Sequence, residues 1–363
     1  MNTTSEGGAA AGGASEGATP EGVTPESATS AGVAPQSVAT ESRTVEGGTL
    51  GSSDVLEEHA AVAAPPAVVR TREDLREALV RWTMSAPMGS LSGGAPARRA
   101  VVMTMGALHE GHLELVRRAR DEAGPSGQVV VTIFVNPLQF GAGEDLEKYP
   151  RDLDGDVAKL ATVGADLVFA PGPDVVYPGG DPIVRVSAGR IGEVLEGEFR
   201  PGHMDGVLTV VLKLLHLVRP DVALFGRKDA QQLLAVRRMA ADLDLDVEIL
   251  GVETVRDEDG LAKSSRNAYL SPEERERALA LSRALRAGAE AGAGGAAAVR
   301  RAASDVLNDA DGVVVDYLAL VDPFTVEHVP DEFEGPALLL VAARVGATRL
   351  IDNHVVEVSP QVT

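Results

Sequence analysis

Residues 103–115, MTMGALHEGHLEL, set His109, Glu110, Gly111 and His112 where an apolar run gives way to a charged helical pattern. Imidazoles flanking a glycine at a helix entry can donate hydrogen bonds to phosphate oxygens and stabilise charge that grows on a departing phosphate. They could instead ligate a metal. However, H-E-x-H differs from the H-E-x-x-H of helical zinc sites and comes with no obvious third ligand. A plain surface turn carrying two histidines is the third reading.

Other stretches carry polar chemistry. FGRKDAQQL (225–233) puts Gly226, Arg227, Lys228 and Asp229 at a strand-to-helix junction. There Asp229 is expected to cap the helix, and Lys228 can meet a phosphate as a point charge. Of Gln231 and Gln232, one can face the same cleft. AKSSRNAYL (262–270) gathers Lys263, Ser264, Ser265 and Arg266, which could grip a triphosphate or form an exposed polar loop. VNPLQF (135–140) offers Asn136 and Gln139, neutral groups suited to a hydroxy acid. LEGEFRPGHMDGV (195–207) adds Glu196, Arg200 and His203, with the loop arginine expected to be solvated.

Elements must position these groups. RAVVMTM (99–105), QVVVTIFV (128–135), ADLVFA (165–170), DVALF (221–225) and DVEILGV (246–252) read as buried, β-branched strands. Between them GHLELVRRARDEA, LDGDVAKLATVG, GVLTVVLKLLHLV and DAQQLLAVRRMAADL have helical spacing. The alternation predicts an α/β fold, a Rossmann-like, mostly parallel sheet covered by helices, over residues 67–252. In such sheets ligands sit at the carboxyl ends of strands, where helix N-termini present free N–H groups. Both the HEGH and the GRKD stretches occupy that kind of junction.

From residue 253 to 363 the character changes. Ser271 and Pro272 open a long helix, a second follows Gly294 and Gly295, and three strand-like stretches close the chain. A smaller α+β domain is expected there. Residues 1–66, rich in Gly, Ala, Ser, Thr, Pro and Glu, bury too little apolar surface to fold and predict a disordered tail. MGSLSGGAPA (88–97) reads as a flexible loop.

Composition narrows the function. The chain has 363 residues, is 44% hydrophobic and carries a formal net charge of −21, so a globular body is expected but not a general nucleic-acid or anionic-membrane surface. A small basic pocket remains compatible. The absence of cysteine removes disulfides, cysteine–zinc sites and thiol catalysis, and suits a reducing cytoplasm. With no signal-like opening and no apolar run of about 18 residues, no membrane partner is expected and the location predicted is cytoplasmic.

Taken in order, TMGALHEGHLELV, IFVNPLQFGAGEDLEKYPRD, LEGEFRPGHMDGVLTVVLKLLHLVRPD, FGRKDAQQL and VETVRDEDGLAKSSRNAYLSPEER resemble the pantothenate synthetases (pantoate–β-alanine ligases). These are nucleotidyltransferases with an H-x-G-H loop, related to class I aminoacyl-tRNA synthetases. The likeness spans roughly residues 68–360 and excludes the tail. It implies that pantoate carboxylate attacks the α-phosphorus of ATP, giving pantoyl adenylate and pyrophosphate. β-Alanine then displaces AMP to form pantothenate.

It also implies site residues. ATP contacts would come from Met105, Gly106, Ala107, Leu108, His109, Glu110, Gly111 and His112, from Gly226, Arg227, Lys228 and Asp229, and from Val255, Lys263, Ser264, Ser265 and Arg266. Gln139 and Gln232 match pantoate-binding glutamines, with Asn136 beside them and Gln139 also near β-alanine. His112 falls where the family has a residue described as proton donor. Both histidines, with Lys228 and Arg266, are read here chiefly as stabilisers of charge on phosphate. Mg²⁺ would bridge ATP phosphates and need few protein ligands, so no dedicated metal residues are expected. The family is typically a homodimer.

The chain departs from the family pattern at Met103 (usually Pro), Arg227 (Glu), Ala230 (Tyr) and Lys263 (Met). Two other readings compete: another nucleotidyltransferase of the superfamily, and a silent nucleotide-binding regulator whose acidic tail recruits a partner. The second sits poorly with retained His109, His112, Lys228 and Arg266.

Overall fold

The computed structural model describes residues 64–85, 97–141, 144 and 146–359. Of the segment expected to stay disordered, residues 1–63 lie outside the described residues, as do residues 88–96 of the glycine-rich loop.

The chain runs β1 (Ala67–Val69), α1 (Arg72–Ser85), β2 (Arg99–Thr104), α2 (Glu110–Ala123), β3 (Gln128–Ile133), α3 (Leu153–Ala161) and β4 (Leu167–Phe169). It continues with α4 (Pro173–Val176), α5 (Glu196–Phe199), α6 (His203–Val218), β5 (Val222–Gly226), α7 (Ala230–Asp242) and β6 (Glu248–Val252). The last elements are α8 (Pro272–Glu290), α9 (Ala296–Asn308), β7 (Val313–Val321), β8 (Gly335–Val345) and β9 (Thr348–Val358).

The first six strands form one parallel sheet in the order β1-β4-β3-β2-β5-β6. Alternating side chains send Val101, Val130, Ala223 and Phe225 to one face, against α1, α6 and α7. Ala100, Val102, Val129, Val131 and Leu224 face the other way, against α2 and α3. Burial on both faces explains why these strands read as continuous apolar runs rather than alternating ones. β1 was not foreseen, because three residues at a sheet edge leave too short a pattern.

From β2 the chain builds outward through β3 and β4, then crosses back to place β5 on the other side of β2. The strand order therefore reverses between β2 and β5, and the crevice beyond their carboxyl ends is where such sheets bind ligands. HEGH follows β2, and Lys228 follows β5.

β7, β8 and β9 form an antiparallel sheet packed against α8 and α9 through Leu281, Leu285, Val299, Leu339 and Val341. Ser271 caps the start of α8 as expected, and Glu274 completes a capping box with it. Leu195, Ala319, Val321 and Leu340 join this sheet to the parallel half through a small apolar cluster. A buried polar link reinforces it: Arg349 of β9 donates two hydrogen bonds of 2.8 Å to Glu196 of α5, which also accepts one from the Tyr317 hydroxyl at 2.8 Å. Burial pushes the Glu196 carboxyl up, but the bonds and charge of Arg349 outweigh it and leave the group below its ordinary value.

Candidate active site

The loop after β2 is shaped by two glycines. Gly106 has φ +86°, and a Cβ there would press on Asp156 and Ile133 at 3.1 and 3.2 Å. A Cβ on Gly111 would meet the His109 ring at 3.0 Å, so glycine leaves that imidazole room to fold over the helix start.

At that start the two histidines cap the helix between them. His109 Nδ1 accepts from the Gly111 N–H at 3.2 Å, and His112 Nδ1 accepts from the His109 N–H at 3.3 Å. The rings lie 4.1 Å apart, centroid to centroid. Because each Nδ1 accepts a backbone hydrogen, each neutral ring must carry its own hydrogen on Nε2. Burial, then the charges of Lys228 and Lys263, lowers the His109 pKa to about 4. Burial, then His109 and Lys228, lowers that of His112 to about 3. Near neutral pH both rings are thus uncharged Nε2–H donors at the positive end of α2.

A buried carboxylate holds the loop from beneath. Asp156 of α3, 1% exposed, accepts from the Ala107 N–H at 2.9 Å and the Leu108 N–H at 2.8 Å. From the same helix Lys159 Nζ donates to the Leu108 carbonyl at 2.8 Å. Ala107 sits at φ +52°, a left-handed conformation costing a non-glycine residue about 1 kcal/mol. Asp156 and Lys159 did not stand out in the sequence, where residues 153–164 show only helical spacing and the loop that Asp156 holds lies 49 positions away.

The facing wall comes from the end of β5 and from residues 253–266. Asp229 occupies the position before α7, but contrary to expectation its side chain makes no cap bond. Lys228 is held through its backbone instead: Asn353 of β9 donates to the Arg227 and Lys228 carbonyls at 2.9 and 2.8 Å. Ser264 accepts from the Arg266 N–H at 3.3 Å and starts the short helical turn Ser265–Tyr269. Of the two additional cations, Arg227 pairs with exposed Glu253 at 2.5 Å, and Lys263 pairs with Asp257.

Toward the other end, Gln139 Nε2 lies 3.1 Å from Met105 Sδ. Asn136, 1% exposed, is committed internally: Nδ2 donates to Gln139 and Gly206, and Oδ1 accepts from Tyr177 and Leu138. Gln231 is likewise turned inward to Glu196, Ile191 and Val194, leaving Gln232 as the glutamine facing the cleft. Arg200 is not solvated as expected. It makes bonds of 2.9 and 2.7 Å to Glu144 and one of 3.0 Å to His203 Nε2. An arginine can only donate, so His203 accepts at Nε2 and donates from Nδ1 to the Gln139 carbonyl at 2.8 Å.

These pieces line one cavity of about 240 Å³, which brings Met105, His109, His112, Gln139, Lys228, Gln232, Val255 and Lys263–Arg266 together. Through Arg200, His203, Lys228, Gln232 and Arg266 it adjoins a larger one, of about 830 Å³, under the antiparallel sheet. Among the described residues no three His, Asp or Glu side chains form a group able to hold a metal. Nor is any helix among them long and apolar enough to cross a membrane.

The chain is similar to known proteins along most of its length. The family model for pantoate–β-alanine ligase matches residues 67–355. A pantothenate synthetase of Streptomyces avermitilis is 56% identical, the match covering 70% of this chain and 92% of the relative. Pantothenate synthetase 4 of Frankia alni is 59% identical, covering 79% and 96%. Among solved structures, pantothenate synthetase from Thermus thermophilus superimposes with a TM-score of 0.70 at 46% identity, over 79% of this chain and 98% of that one. A pantoate–β-alanine ligase from Francisella tularensis, complexed with β,γ-ATP and β-alanine, gives a TM-score of 0.62 at 28% identity, over 80% and 97%.

Proposed function

The chain belongs to the pantoate–β-alanine ligase family, and from that premise we propose that the cleft between β2 and β5 makes pantothenate by way of an enzyme-bound acyl adenylate. The observation that carries this reading is the mutual capping of His109 and His112, which aims two neutral Nε2–H donors into the cavity that Lys228, Gln139 and Gln232 also line.

A carboxylate acylates poorly because its leaving group would be oxide. One pantoate carboxylate oxygen attacks the α-phosphorus of ATP, and the bond from that phosphorus to the bridging oxygen of pyrophosphate breaks. Negative charge grows on the phosphate oxygens, where the Nε2–H donors, the α2 N-terminus, Lys228 and Arg266 stabilise it. Neutral imidazoles do this without giving up a proton, so His112 acts as a hydrogen-bond donor rather than an acid. Gln139 and Gln232 hold the pantoate hydroxyls, with Asn136 bracing Gln139 rather than touching substrate. Once pyrophosphate has left, the free amine of β-alanine attacks the acyl carbon. The acyl–oxygen bond to AMP breaks, the amide forms and the amine proton passes to solvent.

Magnesium would enter on the ATP phosphates, screening their charge. The cleft walls offer cations and amides rather than a carboxylate cage, which fits a metal carried by the nucleotide. The two halves share the work: residues 67–252 carry the HEGH and GRKD contacts and the pantoate glutamines, and residues 253–363 add Val255 and Lys263–Arg266 to the nucleotide wall. We further hold the enzyme to be a cytoplasmic homodimer, checked by light scattering of the purified chain and by cell fractionation.

The test is exchange of labelled pyrophosphate into ATP. Exchange that needs pantoate but not β-alanine, with AMP accumulating only when β-alanine is added, is the expected result. Exchange without pantoate, or AMP release only through hydrolysis, overturns the reading.

A further inference from the structure

We propose that Lys263 serves two anionic partners in turn, holding Asp257 until ATP binds and then passing its ammonium to the phosphate chain. The inference rests on the function proposed above and concerns how that site takes up its nucleotide.

The root of Lys263 is fixed at the cleft. Its N–H donates to the Val255 carbonyl at 2.9 Å, closing a hairpin whose other rung joins Asp257 and Leu261 at 2.8 Å. The stem starts beside the HEGH turn, with Lys263 Cβ 3.9 Å from the point where a side chain on Gly111 would begin. Both Lys263 and Val255 line the cavity that contains His109 and His112. The ammonium acts at that range already, since with Lys228 it disfavours a proton on His109. Within the hairpin it pairs with Asp257 Oδ1.

Asp257 can release it at small cost. Its other oxygen accepts from Arg275 Nη2 at 2.8 Å, and Arg275 is anchored to Asp259 by bonds of 3.0 and 2.8 Å. When Lys263 turns away, the carboxylate keeps a cation and, being partly exposed, gains water. A triphosphate is the stronger attractor, because it offers several charged oxygens against one half-neutralised carboxylate. Lysine suits the exchange, since its flexible stem and compact charge can serve either acceptor without the fixed plane an arginine imposes. Arg227, the other additional cation, is directed to exposed Glu253 and has no comparable position.

Two substitutions in the full chain separate a shared cation from a simple brace. Lys263→Met removes the charge but keeps the stem; the ATP KM is expected to rise about tenfold, with a smaller change in kcat and a flatter dependence on salt. Lys263→Arg should recover most of the affinity. Asp257→Asn frees the lysine, and the ATP KM should fall about twofold, the reverse of the first change. If Lys263 only braces the hairpin, both variants weaken ATP binding together and lower the melting temperature in parallel, which overturns the proposal. Unaltered ATP affinity in Lys263→Met overturns it as well. Calorimetric titration with a non-hydrolysable ATP analogue reads the same contrast without turnover, so a failed pantoate-dependent exchange would count against the function and not against Lys263.

Discussion

The two walls of the cleft are made from different materials. The wall after β2 uses backbone N–H groups and uncharged imidazoles, locked by each other and by buried Asp156. The opposite wall uses formal charges, Lys228, Lys263 and Arg266, with Lys228 placed through Asn353 and Lys263 through its hairpin and Asp257. Neutral, rigid donors can be aimed in advance at charge that appears only in the transition state. Formal charges on long side chains suit the ground-state task of drawing in a highly charged nucleotide and letting pyrophosphate go. In the proposed reaction the first wall would act chiefly on the transition state, while the second would also draw in the nucleotide, a division of emphasis between the two sides.

The division can be tested from its strongest consequence downward. His112→Ala should lower kcat about 10²–10³-fold while ATP KM changes far less, as expected for a donor used in the transition state; a loss confined to KM would erase the distinction. Glu196→Gln removes the charge and one of the two acceptor oxygens that join α5 to β9, and should destabilise the chain by about 1–3 kcal/mol in a urea melt, Arg349 keeping its ion pair with Asp316. Asp156→Asn keeps an acceptor for one loop N–H but turns an amide NH2 toward the other, so one buried donor loses its partner. A fall in stability of about 1–3 kcal/mol and a lower kcat are expected, with ATP affinity less affected.

Acidity gives a subtler probe. The pKa values of His109 and His112 are lowered to about 4 and about 3 in the folded chain, whereas an unfolded histidine titrates near 6.5. Below about pH 6.5 the unfolded state binds protons that the folded state refuses. Stability therefore holds above that pH and drains away as pH falls toward the folded values. Turnover, in turn, should show no histidine step near pH 6.5; a step there would mean that a charged imidazole does the work. The smallest effect belongs to Arg227→Glu, which removes an exposed pair with Glu253 and should shift KM by less than about twofold.

How much of this could be read from sequence follows the same divide. The parallel sheet and the HEGH and GRKD junctions were legible because buried strands, glycine turns and helix entries are local patterns. Asp156, Asn353 and the Arg200–His203 pair were not, because each acts on a residue 49, 125 or 64 positions away. Composition cannot show such a partner. Asn136 shows the converse: a polar residue at a strand end invites a substrate role, but its amide is fully used by its neighbours.

Asn353 ties the last strand to the carbonyls of Arg227 and Lys228, so the small sheet works as a fixture that sets where Lys228 stands. Mild heat or limited urea that loosens this fixture would silence the enzyme while the β2–β5 core is still intact. Loss of turnover and loss of fold would then be two separate events on the same chain.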